Sequence, residues 1–186
     1  MKRIEVLLAD DHAMIRNGLR NIIGETNDLC VTGEASNGNA ILEMLRENEY
    51  DVLVLDMTMP GRNGLELIRL VKLEHPRLPL LVFTMHQEEQ YAVRAIRAGA
   101  AGYLTKEADG DVLLAAIRKV AAGGVYVSQK VAELLATDVS RSELVQPHTL
   151  LSNREFEVFS RIVDGLSLTA IADELSVSIK TVSTHK

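Results

Sequence analysis

Five residues of this chain could do chemistry together: Asp10, Asp11, Asp56, Thr84 and Lys106. Each ends or follows a short, apolar, branched run: IEVLLA, DVLVL, LLVFT and GYLT. Carboxylates gathered in one place repel one another and resist ionisation. A hard divalent cation removes that cost, and oxygen ligands select Mg²⁺ or its relative Mn²⁺. Such an ion would also neutralise an incoming phosphoryl group, toward which an Asp can act as nucleophile. Lys106 offers a point charge for a phosphoryl oxygen, and the Thr84 hydroxyl offers a hydrogen bond. Taken singly, each residue has a plainer reading: an Asp after a strand as a helix cap, Thr84 as a half-buried strand end, Lys106 as a solvated side chain. Five complementary residues at matching strand ends are hard to credit to capping.

The elements that must position them alternate. Strand-like runs at Ile4–Ala9, Leu29–Ala35, Asp51–Leu55, Leu80–Thr84 and Gly102–Thr105 alternate with helical patterns at Ala13–Glu25, Ser36–Asn48, Leu65–Glu74, Glu88–Ala98 and Asp109–Ala122. In the first helix, Met14, Ile15, Leu19, Ile22 and Ile23 recur near helical spacing. Ser36 and Asn37 can cap the second helix, and Gly123-Gly124 stops the fifth. Five strands separated by helices predict an α/β domain with a parallel sheet covered on both faces, flavodoxin-like in order 2-1-3-4-5. Its functional crevice lies at the carboxyl ends of the strands. The expected divisions are a phosphoacceptor domain over 1–124, a linker with one helix over 125–148, and a small all-α domain over 149–186. In the last, Ser152 with Glu155 reads as a capping box, Gly165 stops the first helix, Leu168–Leu175 is the second, and Ser178 caps a third from Ile179.

Composition narrows the classes. The chain has 186 residues, 47% hydrophobic and 25% charged, so a globular core is expected. Cys30 is the only cysteine, which excludes a disulfide framework and a cysteine-rich zinc site. No apolar run reaches the ~18 residues of a membrane span, and the acids at Glu5, Asp10 and Asp11 spoil the N-terminus as a signal peptide. A cytoplasmic protein is expected. The net charge is −6, and no stretch of the chain is a basic block, so DNA contact must come from a local patch.

The stretches LLADDHAMIRNGL, VLVLDMTMPGRNGLEL, LLVFTMH and GAAGYLTKE resemble the receiver domain of two-component response regulators. Residues 149–186, TLLSNREFEVFSRIVDGLSLTAIADELSVSIKTVSTHK, resemble the start of the NarL/FixJ (LuxR-type) helix-turn-helix. The resemblance implies that Asp56 is the phosphate acceptor for a partner sensor histidine kinase. It implies Asp11 and Asp56 as Mg²⁺ ligands, Asp10 acting through water, and the backbone carbonyl of Thr58 as a further ligand. Thr84 and Lys106 would sense the phosphoryl group, and Tyr103 occupies the aromatic switch position, with an interfacial core ring as its alternative. Phosphorylation is expected to drive homodimerisation and control promoter DNA binding. Met57 and Met59 read as packing side chains, His12 as a helix-start residue, and His86 as an influence on dephosphorylation.

In the small domain, Ile171, Ala172, Leu175 and Val177 should pack the turn, and Lys180, Thr181, Ser183, His185 and Lys186 are candidate DNA contacts. Val182 leans toward DNA over the core. Family members continue beyond the point where this sequence stops, inside the recognition helix. Weak or absent DNA binding is therefore expected for residues 1–186, with the longer parent binding. Three other readings fit less well. A dehalogenase-type phosphatase needs a second Asp two residues after the nucleophile, where Thr58 stands. A P-loop fails because Asn39 and Ala40 follow GEASNG in place of Lys and Ser/Thr. A receiver acting only as a protein-binding adaptor would not need the C-terminal motif.

Overall fold

The computed structural model describes residues 2–60, 64–86, 89–140, 153–163, 165–175 and 177–184. The chain forms two compact units, Met1–Leu135 and Ala136–Lys186.

In the first unit, strands β1 (Ile4–Ala9), β2 (Leu29–Ala35), β3 (Val52–Leu55), β4 (Leu80–Thr84) and β5 (Gly102–Thr105) alternate with helices α1 (Ala13–Gly24), α2 (Gly38–Glu47), α3 (Gly64–Glu74), α4 (Glu89–Ala98) and α5 (Gly110–Ala121). The strands form one parallel sheet in the order β2-β1-β3-β4-β5, as the alternation predicted. The sheet's period of two sorts its apolar residues between two faces. Val6, Leu8, Val52, Val54, Leu81 and Phe83 pack with Leu19 and Ile23 of α1 and with Leu113, Ile117 and Val120 of α5. Leu7, Leu53, Leu55, Leu80 and Val82 are equally buried and alternate with them toward the opposite face, and Ile41 of α2 and Leu65 and Ile68 of α3 are fully buried as well. A sheet buried on both faces explains the near-continuous aliphatic runs. Met14, expected on the apolar stripe of α1, is 87% exposed. It stands in the first turn, beyond the stretch of α1 whose Leu19 and Ile23 are buried.

Several boundaries follow from local chemistry. The Asn37 side chain accepts a hydrogen bond from the Ala40 N–H, capping α2 as expected. Gly99, with φ +113°, ends α4 in a conformation that side chains resist. Beyond α5 the first unit continues through the stretch 125–135, which the sequence reading placed in the linker. Tyr126 donates its N–H to the Ala101 carbonyl, and its own carbonyl accepts from the Tyr103 N–H, both near 2.9 Å. One residue thus covers the outer edge of β5. Helix α6 (Gln129–Ser140) follows, its Val131 buried and Lys130 paired with Glu89 of α4 at 2.5 Å.

The edge pairing makes Gly102 sterically demanding. A Cβ there would meet Leu81 Cδ1 at 2.8 Å and the Tyr126 carbonyl oxygen at 3.0 Å. Gly18, on the exposed face of α1, has no heavy atom within 4 Å of its would-be Cβ. Gly102→Ala should therefore destabilise the first unit by about 1–3 kcal/mol, whereas Gly18→Ala should stabilise it by about 0.5–1 kcal/mol. Urea unfolding followed by tyrosine fluorescence checks both, because Tyr50, Tyr91, Tyr103 and Tyr126 all lie in that unit.

In the second unit, α7 (Asn153–Val163), α8 (Leu168–Glu174) and α9 (Ile179–Thr184) surround a core of Val158, Ile171, Ala172 and Val182. Leu175 and Val177 pack against that core from the α8–α9 turn, as expected. Gly165 turns the chain with φ +83° after α7. Ser167 caps α8 through the Ala170 N–H, and Ser178 caps α9 through the Thr181 N–H. The capping role read for Ser152 lies outside the described residues. Val182, read as leaning toward DNA, is 1% exposed and belongs to the core. Among the described residues, no helix is long and apolar enough to cross a membrane.

Candidate functional site

The strand ends deliver their residues to one place. β1 ends at Ala9, so Asp10 and Asp11 follow it, and the Asp10 N–H donates to the Ala35 carbonyl at the end of β2. β3 ends at Leu55, and the Asp56 N–H donates to the Ala9 carbonyl. Oxygens of Asp10, Asp11 and Asp56, with one ring nitrogen of His12, lie within 4.8 Å of one another. Thr84 closes β4, fully buried, and its carbonyl accepts the Lys106 N–H at 2.8 Å.

Lys106 is the hub. Its ammonium lies 2.6 Å from Asp10 Oδ2 and donates to Asp56 Oδ2 at 2.7 Å. The side chains of Lys106, Asp10 and Asp56 are 5%, 3% and 0% exposed, so the trio is a buried charge cluster, not a surface ion pair. Burial by itself would push the ammonium down. The hydrogen bonds and charges of Asp10 and Asp56 outweigh it and hold Lys106 above the ordinary lysine range.

The Asp56 carboxylate lies with those of its two N-terminal companions and accepts hydrogen bonds from Thr58. The Thr58 hydroxyl donates to Asp56 Oδ2 at 2.8 Å, and its N–H donates to Oδ1 at 3.2 Å. Met57 and Met59 are buried, as packing side chains. Asp56 Oδ2 thus accepts from both the Thr58 hydroxyl and the Lys106 ammonium.

Two buried oxygens test whether the cluster suits a cation. Asp10 Oδ2 is paired with the Lys106 ammonium at 2.6 Å, and Asp11 Oδ1 lies 2.8 Å from the His12 ring nitrogen. Oxygens on three converging carboxylates are a donor set for a hard divalent ion.

Sequence reasoning missed several participants. His12 does start α1, as its N-cap. Its N–H also donates to Asp10 Oδ1 at 2.8 Å, and its ring Nδ1 approaches Asp11 Oδ1. Arg16 donates to the Asp10 carbonyl at 2.6 Å and pairs with Glu34 at the end of β2. The helical spacing from His12 to Arg16 was the available signal for the latter. Tyr103 is buried, and its hydroxyl donates to the His86 carbonyl at 2.8 Å, tying β5 to the loop after β4. His86 itself stacks on Tyr91, ring centroids 4.7 Å apart. In the second unit Lys180 and Ser183 are exposed, while Thr181 packs its hydroxyl 2.8 Å from that of Ser178. His185 and Lys186 lie outside the described residues.

An α/β sheet whose strand ends gather three carboxylates around a lysine defines a receiver-type phosphoacceptor fold. Comparison with known proteins agrees. Residues 6–118 match the response regulator receiver domain, and residues 149–186 match the bacterial regulatory proteins of the luxR family. The response regulator GacA of Pseudomonas syringae pv. syringae is 36% identical over 184 residues, covering 98% of this chain and 86% of the relative. A Salmonella enterica serovar Typhimurium RcsB structure, bound to promoter rprA in the presence of phosphomimetic BeF₃⁻, superposes with a TM-score of 0.67. It is 26% identical and covers 100% of this chain and 89% of that one. A structure of two RcsB dimers bound to two parallel DNAs gives the same TM-score at 28% identity, over 100% of this chain and 89% of that one. The chain belongs to the response regulators that join a receiver domain to a LuxR-type helix-turn-helix, and it is a transcription regulator of two-component signalling.

Proposed function

We propose that Asp56 accepts a phosphoryl group from a partner histidine kinase and that the resulting charge switches the protein's DNA binding and self-association. The observation that carries this reading is the contact of Lys106 with both Asp10 and Asp56, which sets one buried ammonium against the Asp56 carboxylate. An Asp56 oxygen attacks phosphorus in line as the phosphohistidine nitrogen leaves, and catalysis is largely positioning and charge neutralisation. Asp10, Asp11, Asp56 and the Thr58 carbonyl would hold Mg²⁺ or Mn²⁺, which supplies charge neutralisation to the transferring group. Lys106 leaves Asp56 Oδ2 to follow a phosphoryl oxygen, and Thr84 is placed to receive another. In this reading the chain's own phosphorylation and its own dephosphorylation are its only chemistry.

The product adds about one to two negative charges to a buried site. Lys106 joins that site to Thr84 through its backbone, and the His86 carbonyl is held by Tyr103. A shift of Lys106 toward phosphate therefore acts on the loop before α4 and on the Tyr103 ring. Residues 1–124 are the phosphoacceptor domain, 125–148 the connector and 149–186 the DNA-binding domain in this reading, which places the protein in the cytoplasm. The RcsB structures with promoter DNA and with DNA-bound dimers support promoter binding by a homodimer. Lys180, Thr181 and Ser183 are the described candidates for the contact, with His185 and Lys186 following them in sequence.

Incubation with acetyl phosphate and Mg²⁺, followed by intact mass, tests the reading. The wild-type chain should gain one phosphoryl group and Asp56→Asn none. Sedimentation of the same samples should show the phosphorylated chain associating. A phosphorylated Asp56→Asn chain would contradict the assignment.

A further inference from the structure

Arg16 reaches the site from behind the residues that would meet the phosphoryl group. It stands on α1 four residues after His12, and its backbone N–H donates to the His12 carbonyl, so the two share a helix face. Both hold Asp10. The His12 N–H donates to Asp10 Oδ1 at 2.8 Å, and Arg16 Nη1 donates to the Asp10 carbonyl at 2.6 Å. The Asp10 N–H is held as well, donating to the Ala35 carbonyl. The Asp10 carbonyl belongs to the peptide unit that leads into Asp11, and that unit is planar. Fixing its oxygen fixes how Asp11 leaves Asp10. The guanidinium is itself steadied. Its Nε donates to Glu34 Oε2 at 3.3 Å, and Arg20 donates to Glu34 Oε1 at 2.9 Å. The Arg16 and Glu34 side chains are only 18% and 28% exposed, so this arm is packed in place and is not a solvated pair.

We infer that Arg16 is a positioning residue for phosphoryl transfer: by holding the Asp10 carbonyl it fixes the peptide that joins Asp10 to Asp11 and keeps both carboxylates set against Asp56. Its side-chain contacts are with Asp10 and Glu34, not with Asp56, so it acts through that peptide. The two contacts divide the work. The ion pair with Glu34 ties α1 to the end of β2 and contributes to stability. The hydrogen bond to the Asp10 carbonyl contributes geometry, on which a transfer that is mostly positioning depends. This inference rests on the reading of Asp56 as the phosphoacceptor.

The test separates the two contacts. The full 186-residue chain is phosphorylated with acetyl phosphate at saturating Mg²⁺, and the rate is followed by intact mass for wild type, Arg16→Gln, Arg16→Lys and Glu34→Gln. Urea unfolding of the same proteins gives the folded fraction by which each rate is divided. Arg16→Gln and Glu34→Gln both lose the ion pair, so their urea midpoints should fall alike. Only Arg16→Gln, whose shorter side chain stops short of the Asp10 carbonyl, should be slowed, by roughly 10- to 100-fold. Glu34→Gln leaves that hydrogen bond in place and should stay within about threefold of wild type. Arg16→Lys keeps a cationic donor on a long stem and should recover most of the rate. A wild-type rate in Arg16→Gln, a Glu34→Gln as slow as Arg16→Gln, or an Arg16→Lys with no recovery overturns the positioning role and leaves the phosphoacceptor reading standing. A wild-type chain that gains no phosphoryl group overturns both.

Discussion

Replacing Lys106 by Met should cost the first unit about 3–5 kcal/mol at neutral pH, because it leaves two buried carboxylates without their counter-charge. The neighbouring chemistry decides the size of the effect. Asp10 and Asp56 are almost wholly buried, and Lys106 contacts both. A surface ion pair of similar length would be worth ~1 kcal/mol or less. Urea unfolding at several pH values reads the difference. In the variant the carboxyl groups take up protons more readily in the folded state than in the unfolded chain. Its deficit should therefore shrink as the pH falls toward the ordinary carboxylate range near 4. In the wild type the sign is opposite at the alkaline end. Lys106 is held above its unfolded value, so its contribution is complete below about pH 10.4 and fades as the pH rises through the folded value. Mg²⁺ should recover more stability in Lys106→Met than in wild type, since a bound cation restores the missing charge. A variant within ~1 kcal/mol of wild type and indifferent to Mg²⁺ would show that the contacts carry little energy.

The second large effect concerns the small unit. Ile171 is fully buried, one of the four buried residues that cluster there among the described residues. Truncation to Ala removes its centre and should cost about 2–5 kcal/mol. A unit this small has little stability in reserve. Ile171→Ala should therefore abolish amide-exchange protection across 153–184 while leaving 4–121 protected as in wild type. Protection retained in both units would mean that Ile171 contributes less than its burial implies.

The sheet was legible because a strand buried on both faces must be written in consecutive aliphatic residues, and turns carry their own punctuation. The strand ends then placed Asp10, Asp56, Thr84 and Lys106 without further information. What escaped the sequence reading depends on how a side chain turns once there. The Thr58 hydroxyl on Asp56 follows an Asp-x-Thr spacing that invites a local hydrogen bond, yet only the Thr58 carbonyl was foreseen. The pairing of Tyr126 with β5 involves one residue, too short for any alternation pattern. Val182 lies in a six-residue helix, where periodicity cannot tell the inner face from the outer, and packing with Val158 of α7 settles it.

The central claim is tested most directly by locating the modification. The chain is phosphorylated with acetyl phosphate and Mg²⁺, reduced with borohydride and digested, and the peptides are sequenced by mass spectrometry. Reduction converts an aspartyl phosphate to homoserine, so homoserine should replace aspartate at position 56 and at no other aspartate. Homoserine at position 10 or 11, or a phosphorylated chain with aspartate intact at position 56, would contradict the account.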